Sequence, residues 1–167
     1  MPALSNRLLY MLIFLACLFL LGTAILIEPF RSMNPCPMCM MQRAVFVALA
    51  AVTLVAALHN PSGTGRFIYG GATLLIAVTG AAIAGRQIWL QSLPEDQVPA
   101  CGPGLEYMLD VFPLLEVIQM SLVGTGDCAE VQWTLFGISI PGWSFLAFSL
   151  IAVIALYTMI RKRASDF

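Results

Sequence analysis

Four long apolar runs, separated by stretches in which polar residues gather, make up most of this 167-residue chain. The first run, residues 8–27, has no charged side chain and would form a helix about 30 Å long. That length matches the roughly 30 Å hydrocarbon core of a bilayer. The other runs cover residues 41–58, 67–86 and 143–160. The pattern predicts an all-α membrane protein, a four-transmembrane-helix bundle with one integral membrane domain over residues 1–167.

The second run is short, and this places a polar motif in the membrane. Its charge-free part, residues 44–58, has 15 residues and covers only about 22 Å as a helix. The sequence His59-Asn60-Pro61 closes the far end, so the missing length must come from the near end. We therefore expect residues 40–43, with Arg43, to enter the upper bilayer. Pro37 suits the first turn of a helix, so the helix is predicted to begin within the motif NPCPMCMMQR.

The overall composition supports the membrane assignment. Hydrophobic residues make up 60% of the chain and charged residues 10%, with a mean hydropathy of +0.90. Soluble domains carry roughly 25% charged residues. The net charge of −1 and the absence of a basic patch argue against a nucleic-acid partner.

Basic residues are unevenly divided between the two sides of the predicted membrane. Four spans place both termini on one side, and the positive-inside rule assigns the more basic side to the cytoplasm. The terminal side has five basic residues and the other side three, namely Arg7, Arg66, Arg161, Lys162 and Arg163 against Arg31, Arg43 and Arg86. We therefore predict cytoplasmic termini and two extracytoplasmic loops, residues 28–40 and 87–142.

Four of the five cysteines fall in the two predicted outer loops. Cys36 and Cys39 lie in the first, and Cys101 and Cys128 in the second. Cys17 lies in the middle of the first span, where a thiol behaves as a small apolar side chain. An even number of cysteines confined to one face indicates disulfide chemistry in an oxidising compartment. Four cysteines allow three pairings, and the spacing leaves the resting connectivity open.

The two cysteine pairs differ in what a disulfide would contribute to stability. Closing the loop from Cys101 to Cys128 would stabilise the fold by roughly 3.5 kcal/mol, whereas closing Cys36 to Cys39 would give only about 2 kcal/mol before strain. Strained or exposed disulfides are the labile and more oxidising ones. The CxxC pair is therefore predicted to open and close during a redox reaction.

The start of the second helix favours a thiolate at Cys39. Backbone N–H groups at a helix start and a nearby arginine both stabilise a thiolate. Arg43 lies one turn after Cys39 on the same predicted face. The alternative for Arg43 is an interfacial residue whose guanidinium extends to the lipid headgroups.

The second outer loop contains an apolar segment, residues 105–122, that could be mistaken for a fifth span. A fifth span would bury three carboxylates and separate Cys101 from Cys128 across the membrane. We instead predict a short amphipathic helix, or two, on the membrane surface. The alternative is an ordinary loop packed on the bundle.

Taken together, these residues resemble the DsbB family. The resemblance is carried by Cys36-Pro37-Met38-Cys39 followed by Arg43, by the four spans, and by the stretch GDCAEVQW at residues 126–133. It implies a disulfide oxidoreductase of the bacterial inner membrane that reoxidises a periplasmic DsbA-like thioredoxin-fold protein. It also implies that the electrons pass to a quinone, either ubiquinone or menaquinone.

The resemblance also implies a role for each site residue. A Cys101–Cys128 disulfide would be attacked at Cys101 by the reduced partner, and Cys128 would then attack Cys36. Cys39 would face the quinone, and Arg43 would polarise a quinone oxygen. Some members of the family have a histidine just after the third span, where this chain has Gln87, so the resemblance implies no proton donor there.

Two other functions compete with this prediction. Methionines beside Cys36 and Cys39 form a soft-ligand cluster of the kind that selects Cu(I), over residues 33–41. A copper-handling membrane protein would leave Cys101 and Cys128 without a role. A quinone reductase of the vitamin K epoxide reductase type is expected to carry its CxxC late in the chain.

Overall fold

The computed structural model describes residues 5–31, 36–102 and 104–160, and the basic cluster at 161–163 lies outside them. Four helices in the described residues are long and apolar enough to cross a membrane. The fold class is therefore confirmed as a four-helix membrane bundle. The elements in chain order are α1 (Asn6–Arg31), α2 (Pro37–His59), α3 (Thr64–Gln91), a 3₁₀ turn (Glu95–Gln97), α4 (Leu105–Val111), α5 (Leu114–Val123), α6 (Gly126–Ala129), β1 (Thr134–Leu135), β2 (Ile138–Ser139) and α7 (Ile140–Ile160). The long helices are α1, α2, α3 and α7.

Helix α2 begins inside the cysteine motif, as predicted. Cys36 is the N-cap, with an extended backbone, and its sulfur accepts a hydrogen bond from the Cys39 N–H at 3.3 Å. Pro37 occupies the first turn, where its missing N–H leaves no hydrogen bond unmade. At the other end Asn60 adopts a left-handed conformation, and its N–H donates to the Ala56 carbonyl. Cys36 and Cys39 therefore lie at the N-cap and in the first turn of a spanning helix.

Helix α3 continues past the end of its apolar run. The hydropathy pattern places the end of the span at residue 86, but the helix runs to Gln91. The apolar Leu90 remains buried, so the packing face continues although polar side chains appear beside it. Ser92 closes the helix by donating its side-chain hydroxyl to the Trp89 carbonyl at 2.7 Å. The extension places Gln87 within the helix rather than in a loop.

Close packing between α3 and α7 depends on a glycine. A Cβ atom at Gly80 would lie 2.6 Å from the ring of Phe148, so only glycine admits this ring. Phe148 in turn stacks on Phe46 of α2, with ring centroids 4.1 Å apart. Small residues that allow such approach are typical of helix interfaces in lipid. The resulting core cluster contains Ile13, Cys17, Phe46, Leu49, Ala50, Ala77, Ala84, Phe148 and Ile151.

The connection between α3 and α7 carries two short helices in the segment where an amphipathic helix is predicted. Helices α4 and α5 are separated at Pro113, which precedes the first turn of α5. The end of α5 is tied to the bundle, because Arg86 of α3 donates to the Val123 carbonyl at 3.1 Å. The same guanidinium lies over the Trp89 ring, 4.3 Å from its centroid. That α4 and α5 lie on a membrane surface stays a prediction.

Candidate active site

Three of the five thiols meet where α2 begins. The sulfurs of Cys36 and Cys39 are 2.7 Å apart, and Cys36 is hydrogen-bonded to Cys128 on its other side. Cys128 comes from α6, 89 positions after Cys39 in the chain (128 − 39). Cys36 and Cys128 are buried, whereas Cys39 is half-buried. All five cysteines are free thiols in this structure.

An apolar shell surrounds the three thiols. Met38 is completely buried there, together with Ile83 and Leu90 of α3. Methionine fills such irregular space well because its side chain is unbranched and flexible. The shell keeps water away from Cys36 and Cys128, which strengthens the polar contacts that remain inside it.

Two glutamine amides are the main polar contacts of the thiols. The Nε2 atom of Gln87 donates to the sulfurs of both Cys36 and Cys39, at 3.3 Å each. Its Oε1 atom accepts a hydrogen bond from Gln42 Nε2 at 2.7 Å. Gln42 lies three residues after Cys39, on the same face of α2. The two amides therefore form a buried chain that ends on the sulfurs.

Hydrogen bonding distinguishes Cys128 from its neighbour Cys36. The hydrogen bond from Cys36 lowers the pKa of the Cys128 thiol to about 6, and this effect outweighs burial, which acts in the opposite direction. The same hydrogen bond is the largest cause of a raised pKa at Cys36. The hydrogen bond with Cys39 and burial are smaller causes that also raise it. Of this pair, Cys128 therefore carries the thiolate and Cys36 keeps its proton.

Cys101 lies beside the segment that carries Cys128 and is exposed to solvent. The Gly126 N–H donates to the Ala100 carbonyl at 3.2 Å, which joins the two segments next to their cysteines. A Cβ atom at Gly126 would come within 3.0 Å of the Cys101 sulfur. Glycine at this position therefore allows Cys101 to approach the start of α6. The site thus has one accessible thiol next to three sheltered ones.

Arg43 lies one turn beyond the thiols on α2. Its guanidinium is half-buried and contacts the sulfur of Met40, with Nη1 and Sδ 3.8 Å apart. Met40 itself is partly exposed on the outside of the bundle. The structure therefore places a cation one helical turn from Cys39 on α2, and the predicted role of Arg43 stays a prediction.

A pocket opens beside Cys36 and Cys39 and combines polar and apolar walls. Its lining residues are Cys36, Cys39, Gln87, Gln91, Asp127, Glu130, Gln132, Trp133, Ile140 and Pro141. Most of the polar residues come from α3 and from the stretch at 126–133 that carries the family resemblance. The pocket therefore connects the thiols with the second loop.

The copper alternative depends on methionines beside the CxxC pair, and it stays an alternative prediction. Across residues 5–31, 36–102 and 104–160, His, Cys, Asp and Glu side chains form no group of three or more that could hold a metal ion. Met38 is buried in the apolar shell, and Met40 contacts Arg43. Met33 lies outside the described residues.

Sequence reasoning assigned no role to Gln42 and Gln87. Neither residue titrates, and Gln87 follows the residue at which the apolar run of α3 ends. One signal was available, because a glutamine three residues after Cys39 must share its face of the helix. Residue spacing along α2 could not predict that α3 packs close enough to bring Gln87 to the sulfurs of Cys36 and Cys39.

Comparison with known proteins identifies close relatives along nearly the whole chain. The family model described as "Disulfide bond formation protein DsbB" matches residues 6–158. A "Disulfide bond formation protein B" of Hahella chejuensis is 52% identical over 163 residues, covering 97% of this chain and 99% of the relative. The protein of the same name from Marinobacter nauticus is 49% identical, covering 95% and 94%. "Disulfide bond formation protein B 1" of Pseudomonas aeruginosa is 47% identical, covering 89% and 91%.

Proposed function

The chain belongs to the DsbB family of disulfide bond formation proteins, and from this premise we propose that it reoxidises a periplasmic DsbA-like thioredoxin-fold protein and passes the electrons to membrane quinone. Its general activity is that of a disulfide oxidoreductase, and it is a multi-pass membrane protein. The partner, the quinone and the order of thiol exchange are the proposed parts.

One observation carries the proposal: three thiols from two separate loops meet, and the fourth is accessible beside them. Cys36 is hydrogen-bonded to both Cys39 and Cys128, while Cys101 is exposed. A set of purely structural disulfides would need two separate pairs, each at its own position. A sulfur with a neighbour on either side is instead suited to exchanging one S–S bond for another.

The first exchange takes place at the exposed thiol. A thiolate of the reduced partner attacks Cys101 of a Cys101–Cys128 disulfide, so a partner–Cys101 bond forms and the Cys101–Cys128 bond breaks. The electron pair of the broken bond stays on Cys128 as a thiolate. Besides the Cys36 hydrogen bond, which a Cys36–Cys39 disulfide cannot give, backbone hydrogen bonds with Thr125 and Met38 lower the pKa of Cys128, and they support this step because a thiol of low pKa is a good leaving group. The partner's second thiol then resolves the mixed disulfide and leaves the partner oxidised.

The second exchange moves the electron pair toward the membrane. The Cys128 thiolate attacks Cys36 of a Cys36–Cys39 disulfide, forming a Cys36–Cys128 bond and breaking the Cys36–Cys39 bond. The electron pair now resides on Cys39. The contacts of Cys36 with both sulfurs support this order, because no long movement separates the attacking and leaving atoms.

The residues around Cys39 suit a quinone. A half-buried thiol and a half-buried guanidinium lie one turn apart on α2, next to the exposed Met40. Cys39 and Arg43 would hold the quinone ring, with the guanidinium donating to a ring oxygen. When bound, the quinone supplies a lipid-soluble acceptor for two electrons. The fit depends on donor chemistry: a cation for an oxygen that gains charge, and a thiolate for the ring.

The same proposal fixes the orientation of the chain. We assign both termini to the cytoplasm and the cysteine loops to the periplasmic side of the bacterial inner membrane. The excess of basic residues on the terminal side supports this orientation. A water-soluble electron donor and a lipid-soluble acceptor both have access to a site at this boundary.

The test uses the purified full-length chain in lipid vesicles with ubiquinone or menaquinone and a reduced DsbA-like protein. Cys39→Ser should reduce quinone at least roughly 100-fold more slowly, because the exchange then lacks its last sulfur. The mixed disulfide at Cys101 should still form and be visible by mass mapping. Arg43→Ala should raise the apparent KM for quinone, and Arg7→Ala, at an exposed position of α1, is the matched control.

Quinone reduction by Cys39→Ser at the wild-type rate would show that the electrons take another route. An unchanged KM in Arg43→Ala would leave Arg43 as an interfacial residue. If one cysteine loop were accessible only from outside the vesicle and the other only from inside, thiol exchange between the loops would be impossible.

A further inference from the structure

We propose that Gln87 is a catalytic residue that stabilises the negative charge on sulfur during the exchange between Cys36 and Cys39, and that Gln42 is its positioning residue. The inference rests on the function proposed above. It gives a role in the reaction to two residues that have no titratable side chain, and the evidence for it is the hydrogen bonds that these residues make.

Both amides are almost completely buried. Gln87 is 2% exposed and Gln42 is 4% exposed. Burying an amide is unfavourable unless its groups are hydrogen-bonded. An apolar side chain of similar size would fill either position without that cost. The contacts that these amides make are therefore the feature to explain.

The Gln87 amide is in direct contact with the reacting atoms. Its Nε2 carries two hydrogens, and the two sulfurs that it reaches are each 3.3 Å away. Its Oε1 lies farther from the Cys39 sulfur, at 3.9 Å. The donor end of the amide is thus nearer to the thiols than the acceptor end.

Gln42 fixes which end of the Gln87 amide faces the sulfurs. Its Nε2 donates to Gln87 Oε1 at 2.7 Å, the shortest of the contacts in this chain of groups. If the Gln87 amide rotated by half a turn, two NH₂ groups would face each other. Gln42 therefore orients the Gln87 amide, and this hydrogen bond involves no sulfur atom.

This arrangement favours the step in which Cys39 is released. When Cys128 attacks Cys36, the Cys36–Cys128 bond forms, the Cys36–Cys39 bond breaks, and the electron pair remains on Cys39. Negative charge then moves from Cys128 through Cys36 to Cys39, and the Gln87 amide donates to the sulfurs of both Cys36 and Cys39. Donors held in place before the charge develops need no reorganisation during the reaction.

A neutral amide is well suited to this position. A carboxylate there would repel the thiolate, and a buried cation would be costly when the site is oxidised and uncharged. Glutamine donates hydrogen bonds in either redox state and brings no net charge. This explains how a site can stabilise a thiolate in surroundings that are otherwise apolar.

The test measures thiolate directly and needs neither quinone nor partner. The full-length chain carrying Cys101→Ser and Cys128→Ser is fully reduced, so Cys36 and Cys39 are the remaining thiols outside the apolar core. The iodoacetamide-sensitive ultraviolet absorbance of thiolate at pH 7 is then compared among variants. Gln87→Met should lower this absorbance at least about threefold, since hydrogen bonds to charged groups are strong. Gln42→Met should lower it less.

A double variant separates positioning from a general structural effect. If Gln42 acts through Gln87, then Gln42→Met should cause no further loss in a Gln87→Met background. The matched control is Gln97→Met, the same change at an exposed residue of the 3₁₀ turn, which should leave the absorbance unchanged. In complete turnover, Gln87→Met should lower kcat roughly 10- to 100-fold and leave the KM for the partner protein unchanged.

Thiolate absorbance that is unchanged in Gln87→Met, or already absent from the parent at pH 7, would overturn the inference. Additive losses in the double variant would overturn the positioning role of Gln42. If Gln87→Met fails to fold, as judged by circular dichroism, Gln42→Met still tests the inference because it leaves the contacting amide in place. None of these results depends on which acceptor or partner the chain uses.

Discussion

Cys17 and Cys128 are both completely buried, yet the two regions around them are built differently. Cys17 lies in the core cluster of the bundle, among apolar side chains such as Ile13, Phe46 and Leu49. Cys128 lies at the end of the bundle, where it is hydrogen-bonded to Cys36 and to the Thr125 hydroxyl at 3.7 Å. The two thiols are equally buried, but among the described residues only the surroundings of Cys128 supply hydrogen bonds to its sulfur.

The comparison shows that hydrogen-bond donors, rather than solvent exposure, distinguish a reactive thiol from an inert one in this chain. Within the spanning part of the bundle, buried hydroxyls bond to helix carbonyls or to each other: the Thr53 hydroxyl donates to the Leu49 carbonyl at 2.7 Å, and Thr158 donates to the Ala155 carbonyl and is also hydrogen-bonded to the Tyr10 hydroxyl. At the thiol end, Gln87 instead directs its donors to sulfur. A buried amide that donates to thiol sulfurs is thus the feature that distinguishes the site.

The largest expected effect comes from removing the two sulfurs in turn. Cys128→Ala should slow disulfide transfer to the acceptor at least roughly 100-fold, because the sulfur that links the loops is lost. Cys17→Ala should keep turnover near the wild-type value and only slightly reduce thermal stability. The measurement is turnover with a reduced donor protein, together with a melting curve. Equal losses of turnover in the two variants would remove the distinction between the regions.

The pH dependence of the exchange should follow Cys128. In the fully reduced site the hydrogen bond from Cys36 lowers the pKa of Cys128 from 9.0 to about 6, and backbone hydrogen bonds with Thr125 and Met38 act in the same direction. A Cys36–Cys39 disulfide has no S–H to donate, so only the backbone bonds lower the pKa of Cys128 during its attack on Cys36. The single-turnover rate of that attack should therefore level off at a lower pH than it would for an ordinary thiol, and should decrease about tenfold for each pH unit well below that point. Stopped-flow alkylation quenching would measure it. A rate that still rises steeply between pH 8 and 9 would mean that Cys128 is an ordinary thiol.

The smallest expected effect is on the stability of the core that contains Cys17, and the rate of disulfide exchange should not change. Gly80→Ala would drive a methyl group into the Phe148 ring, and we expect a loss of about 1–3 kcal/mol in unfolding free energy. Turnover at low temperature should remain. Gly71→Ala, on the same helix with no atom within 4 Å of its Cβ, is the matched control and should stabilise by about 0.5–1 kcal/mol. Denaturation in detergent measures both. Equal stabilities would show that the α3–α7 contact is looser than described.

The spanning helices could be predicted because their signal is local. Twenty apolar residues in succession require a membrane helix whatever the rest of the chain does. The end of α3 was harder, since Arg86 and Gln87 are polar and hydropathy alone ends the span there. Tertiary packing of Leu90 decides that end.

The chemistry-bearing cysteines could be found in the sequence, but not their arrangement in space. Spacing identifies Cys36 and Cys39 as a pair, because both lie within one turn. That Cys128 reaches Cys36 depends on how α6 packs against the bundle, which no local pattern encodes. Gln87 could be singled out by the resemblance, but its contact with the thiols could not be predicted, since that contact arises only when α3 comes to lie beside α2.

The bond from Arg86 to the Val123 carbonyl has a consequence for how fast the loops react with each other. It anchors the chain just ahead of Cys128, while Cys101 lies in a solvent-exposed stretch. A sulfur tethered in this way meets its target at an effective concentration set by the tether, of the order of millimolar or higher. Encounter with the soluble donor slows on dilution, but the handover between the loops does not.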